Sequence, residues 1–133
     1  MCLISKTKEY QIADHDIEVW KVLRRTKSNN PKYTAPYMCD FEYGDLNGEY
    51  FDDGFFDGVT EGRGYYAFTN GFHTFKNMFD AIDEMDRLNN YAFCCEEFEV
   101  VPCIIPQGSA YIEGYENHTA VKSYCSSKIK LNY

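Results

Sequence analysis

Val100-Val101-Pro102-Cys103-Ile104-Ile105-Pro106-Gln107-Gly108-Ser109-Ala110-Tyr111-Ile112-Glu113-Gly114 decides the fold. A run rich in β-branched residues is followed by a Pro-Gln-Gly turn, and a second short strand then closes on glycine. That pattern is an antiparallel hairpin scaffold. Pro102 removes one ladder donor, so the sequence predicts that Glu97 to Ile105 lies at a sheet edge or bulges there.

Working outward, Asp16 to Arg24 alternates as a strand, and Thr26 to Pro31 is a polar turn. Tyr65 to Thr69 is a further short strand, and Thr119 to Cys125 with Ser127 to Leu131 closes the sheet. Phe75, Met78, Phe79, Ile82, Met85 and Leu88 recur at helical spacing. They predict one main helix over 74–89, capped by Thr74 and stopped by Asn89-Asn90. The expectation is a single compact α+β domain spanning residues 1–133, an antiparallel sheet with that helix packed on it.

The chain has 133 residues, enough to bury a core without staples. Its net charge of −8 is concentrated in the middle. Between Lys32 and Arg63 there are eight carboxylates and no base: Asp40, Glu42, Asp45, Glu49, Asp52, Asp53, Asp57 and Glu61. Such a block excludes phosphate binding through the centre of the chain, so no direct nucleic-acid contact is expected there. Asn47-Gly48, Asp53-Gly54 and Asp57-Gly58 mark turns within it. Tyr43 and Tyr50, with Tyr37, Phe51, Phe55 and Phe56, interleave rigid rings that could supply contact surface. Spaced carboxylates beside aromatic rings imitate a nucleic-acid backbone and its bases, and so fit a basic groove on another protein.

Other chemistries lack their patterns. Asp45, Asn47 and Glu49 have calcium-loop spacing, but Tyr50 stands where the loop glycine belongs and Phe56 where its last carboxylate belongs. The six cysteines (Cys2, Cys39, Cys94, Cys95, Cys103 and Cys125) form no Cys-x-x-Cys pair. His15, His73 and His118 form no zinc or nucleophile motif, so no metal, cofactor or catalytic residue is expected. No stretch reaches the length of a signal or a membrane span. The expectation is therefore a cytoplasmic protein with reduced thiols, and the Asn117-His118-Thr119 glycosylation match is read as chance.

Ile104-Ile105-Pro106-Gln107-Gly108-Ser109-Ala110-Tyr111-Ile112 resembles the late I-P-K-G-(S/A)-x-x-Y strand and turn of ADP-ribosyltransferase domains. Ile17 to Arg25 is similar to their first strand, and Gly71-Phe72-His73-Thr74-Phe75 sits where that family places Ser-Thr-Ser. The resemblance implies a nucleotide cleft formed by Arg24, His73, Gln107, Ser109 and Glu113. The family's glutamate is absent, since Thr119 to Cys125 contains no acid, so the implied object is a degenerate, non-catalytic scaffold. In general cut the chain also resembles small proteins encoded by gut bacteria and their phages. The reading from the residues is a non-enzymatic acidic binding protein, a phage-type inhibitor covering a basic surface of a host protein. The alternative is the nucleotide-binding or degenerate transferase domain, and a third outcome is an oligomer held by exposed tyrosines.

Overall fold

The computed structural model describes residues 3–36, 42–55, 57–90, 96–117 and 119–133. In chain order they form β1 (Leu3–Ser5), β2 (Gln11–Ile12), β3 (Ile17–Thr26), β4 (Tyr33–Thr34), β5 (Glu49–Phe51) and β6 (Thr60–Glu61). There follow β7 (Tyr66–Phe68), β8 (Phe72–Phe75), α1 (Met78–Asn89), β9 (Glu96–Ile105), β10 (Ala110–Glu116), β11 (Lys122–Ser126) and β12 (Lys128–Leu131). All strands pair antiparallel in one sheet of order β5-β12-β9-β3-β8-β11-β10-β1-β7-β6, with β2 on β10 and β4 on β3. The protein is thus dominated by its sheet, with one helix among the described residues.

The ladder between β3 and β9 runs for ten residue pairs, from Ile17↔Ile105 to Thr26↔Glu96. Beyond it the sheet bends back on itself. Ser127 alone separates β11 from β12. Because β12 pairs with β9 while β11 pairs with β8, and β8 meets β3 at Trp20↔Phe75, the strand path returns to its start. Inside this ring lie Val19, Leu23, Val101, Cys103, Ile129 and Leu131. The other face of β3 turns Trp20 and Val22 towards α1 and Phe98. Both faces of β3 are therefore covered, which is why Ile17 to Arg24 carries so many β-branched and aromatic side chains.

Pro102 lies in an interior strand, flanked by β3 and β12, and not at an edge as expected. Its carbonyl accepts from Asn132 N at 2.9 Å. Carbonyl and nitrogen of one strand residue point the same way, so the missing donor faces the side where pairing with β12 ends at Leu131. Only the reciprocal bond to Asn132 O is missing, and the ladder with β3 is untouched. The turn after β9 is as read: Ser109 N donates to Pro106 O at 3.1 Å, and Gln107 N to the Asp16 carboxylate at 2.8 Å.

The helix begins four residues later than expected. Thr74 is buried in β8, opposite Tyr124, because the ladder with β11 holds Phe72 to Phe75 extended; Asn77 is the residue at the cap. The helix packs through Ala81 together with the predicted Met85 and Leu88, while the predicted Met78 and Phe79 are exposed. At 100° per residue Phe79 lies about 160° from Ala81, and it is 73% exposed. Ala81 is small enough to let the helix approach β3 and β9. Glu84, also buried, is held by both arms of the Arg87 guanidinium at 2.6 and 3.0 Å.

Gly71 links the ring to the loop after β5. Its φ of +86° lies in the left-handed region, and a Cβ there would sit 2.7 Å from Phe55 and 2.8 Å from Cys125 Sγ. Its N–H donates to the Asp52 carboxylate at 2.8 Å. Gly71→Ala should destabilise the fold by about 2 kcal/mol or more through combined strain and overpacking; a denaturant midpoint within error of wild type would contradict this packing.

Candidate functional site

The acidic segment divides into inward and outward groups. Tyr43, expected as contact surface, is 3% exposed and packs in the ring interior, edge-on to Tyr50 at 5.0 Å. Phe55 is likewise buried, with Leu3, Phe68 and Ile112. Burying these rings is worth more than presenting them, since each removes a large apolar area from water. Tyr50 is half-buried, and its hydroxyl both accepts from Asp45 N and donates to Asp45 O, at 2.8 Å each. Asp52 is also used internally, one oxygen accepting from Gly54 N and the other from Gly71 N, each at 2.8 Å.

Asp45, Glu49, Asp53, Asp57 and Glu61 face solvent. Glu42 is exposed beside Lys32 at 3.6 Å, while Asp40, Tyr37 and Phe56 lie outside the described residues. Phe51, on terminal strand β5, is 67% exposed between Glu49 and Asp53. Register places Glu49 opposite Lys130 and Phe51 opposite Lys128. The following loop is held in shape by Asn70, whose amide donates to Gly54 O at 3.2 Å and Asp57 O at 2.9 Å. The outward set is therefore an acidic edge with one protruding ring on a fixed backbone.

The cleft implied by the transferase resemblance is not assembled. Arg24 pairs in register with Thr34 and Phe98, near the end of β3. The Pro106–Ser109 turn follows Ile105, which pairs with Ile17 at the other end. Seven strand residues separate the two, roughly 23 Å. Gln107 is exposed, Ser109 is buried, and Glu113 faces solvent at 3.6 Å from Lys76. His73 points into the interior and is buried.

That interior holds the polar cluster the sequence reading missed. Lys21, on the inward phase of β3 between Val19 and Leu23, is buried, and its Nζ donates to His73 O at 2.9 Å. The ammonium also lies 5.9 Å from the centre of the Tyr43 ring. His73 Nε2 lies 3.3 Å from Thr69 O and 3.9 Å from Cys125 Sγ, while Cys125 Sγ donates to Asn70 O at 2.9 Å. The one available signal was a lysine at an inward strand position.

Electrostatics show what this cluster can do. Burial, and then the Lys21 charge, push His73 from 6.5 down to about 3, so the imidazole is neutral. Burial lowers Lys21 to about 8 against the opposing pull of Cys103 and Cys125. Burial raises Cys103 to about 12, and it raises Cys125 too. An activated cysteine needs the reverse shift and an open face. Both thiols are buried and held protonated. Among the described residues no three His, Cys, Asp or Glu side chains converge as metal ligands, and no helix is long and apolar enough to cross a membrane.

Two outcomes follow from this interior. Below pH 6.5 the unfolded chain takes up a proton at position 73 that the folded protein refuses until about pH 3. Stability should therefore fall as pH falls, by about 1.4 kcal/mol per unit between about pH 6.5 and 4.5. Denaturant unfolding across that window measures the slope, and His73→Leu should flatten it. On the alkaline side, the Lys21 penalty is relieved as pH rises above about 8, until ionisation of the unfolded thiols from about 9 offsets it. Lys21→Met should raise stability at pH 7 by about 1–3 kcal/mol, because it removes a buried charge while keeping the volume. A large loss instead would assign the ammonium a partner that the apolar chain cannot replace.

No protein-family model, curated protein or solved structure matches this chain.

Proposed function

We propose that this protein works by binding, and that its acidic edge covers a basic surface of a protein partner in the manner of a small phage-type inhibitor. The observation that carries this reading is Phe51, 67% exposed on a terminal strand between the exposed carboxylates of Glu49 and Asp53. An exposed ring framed by charge is the composition of an interface core with a polar rim. The cross-strand lysines temper the charge near Glu49, so the negative field is strongest over Asp53 and Asp57. The bonds from Asn70 hold that loop in shape before a partner arrives, which lowers the ordering cost of binding. The non-enzymatic part of the proposal is supported by the burial of His73, Cys103 and Cys125 and by thiols held protonated.

The test is capture from a host lysate at two salt concentrations, with wild type, Phe51→Ala and the double variant Asp53→Lys/Asp57→Lys in parallel. A stoichiometric partner with a basic surface should be retained by wild type and released as salt rises. Both variants should weaken its binding by about tenfold or more while leaving the circular dichroism spectrum native. A partner held equally by all three proteins, or no partner at low salt, would overturn the proposal.

A further inference from the structure

At the opposite end of the sheet, β7, β1, β10 and β11 present an outer face of different character. Ile4 is the register partner of Tyr115 on one side and Ala67 on the other, and Tyr115 is the partner of Lys122. Partners in an antiparallel ladder project from one face, and so do residues two apart along a strand. Glu113 therefore joins Tyr115 and Lys122 on the same surface, and Lys6 and Tyr65 flank it just beyond the ends of β1 and β7. All five line a single open cleft of about 610 Å³. Gly114 forms part of its lining, and a Cβ there would meet Ile4 O at 2.3 Å; the close approach of β1 to β10 depends on that missing side chain.

The cleft departs from the rest of the molecule in both charge and ring content. In a chain of net charge −8 it gathers Lys6 and Lys122, and Glu113, the one carboxylate of its lining, is 3.6 Å from Lys76. Tyr65 and Tyr115 are 43% and 49% exposed there, so two aromatic rings are left partly uncovered beside the lysines. Such a lining suits a ligand with a flat ring and a compact negative charge, and the volume is that of a small-molecule site. Aromatic side chains stack on nucleobases, and lysines meet phosphate as point charges. Glu113 supplies an acceptor for a ribose hydroxyl or an exocyclic amine.

We infer that this cleft binds a free nucleoside monophosphate, with the base against Tyr65 and Tyr115 and the phosphate between Lys6 and Lys122. A continuous single strand fits less well. The cleft on the opposite face of β7, where Tyr66 and Phe68 project, is lined by Glu9 and Glu61 beside Lys8 and offers no continuation for adjoining phosphates. The site shares only Glu113 with the cleft implied by the transferase resemblance and is independent of the acidic edge.

Isothermal titration of the full chain with AMP and UMP, with adenosine, inorganic phosphate and a short oligothymidylate as comparisons, tests the inference. A monophosphate should bind with a Kd below about 1 mM, at least about tenfold tighter than adenosine or phosphate alone. Tyr115→Ser and Lys122→Glu should each weaken it about tenfold or more, whereas Lys128→Glu, on β12, should leave it unchanged. Lys6→Glu, at an exposed position just beyond β1, repeats the test should Tyr115→Ser fail to fold. Absence of saturable monophosphate binding by natively folded protein would overturn the inference, as would oligothymidylate binding without it, or binding indifferent to the cleft variants.

Discussion

Ten consecutive residue pairs between β3 and β9 form the constraint on which the rest of the structure depends. This ladder joins residues 17–26 to residues 96–105, so nearly everything between them must be accommodated as an excursion from it. With the register fixed, alternation assigns Trp20 and Val22 to the helix side and Val19, Lys21 and Leu23 to the ring side. A slip of one residue would exchange those sets. Pro102 tolerates its central place because its nitrogen faces the end of β12 and not β3.

Closure of the path through Ser127 creates an interior that is mostly apolar and contains one ammonium. Lys21 there is held by the His73 carbonyl and the face of Tyr43. A charge in such a place opposes stability, and a neutral imidazole and protonated thiols are what the same low dielectric imposes on its neighbours. In sequence, Lys, His and Cys together suggest reactive chemistry. In three dimensions burial closes all of them off from solvent and holds the thiols protonated.

The two outward-facing surfaces differ in sign. The segment after β5 exposes carboxylates around Phe51, while the outer face of β1, β10 and β11 gathers lysines around Tyr65 and Tyr115. The first is fixed by Asn70 and Asp52, and the second by the register of three strands and the close approach at Gly114.

By itself the sequence determined β3, β7, β9, β10, β11 and β12, the Pro106–Gly108 turn and the presence of one helix, because each rests on local periodicity or on a residue with restricted backbone geometry; β1, β2, β4 and β8 are fixed by pairing with distant strands. It determined the concentration of negative charge between Lys32 and Arg63, which is simple composition. It could not determine which rings of that segment go inside. Tyr43 and Phe55 look no different in sequence from Phe51, and only the space left by distant strands sorts them. The start of α1 was hidden for a similar reason, since pairing with β11 claims Thr74 before the helix can. Lys21 and the tyrosine-lysine cleft were least legible. They are built from residues far apart in the chain that share no motif, and tertiary register alone brings them to one interior and one face.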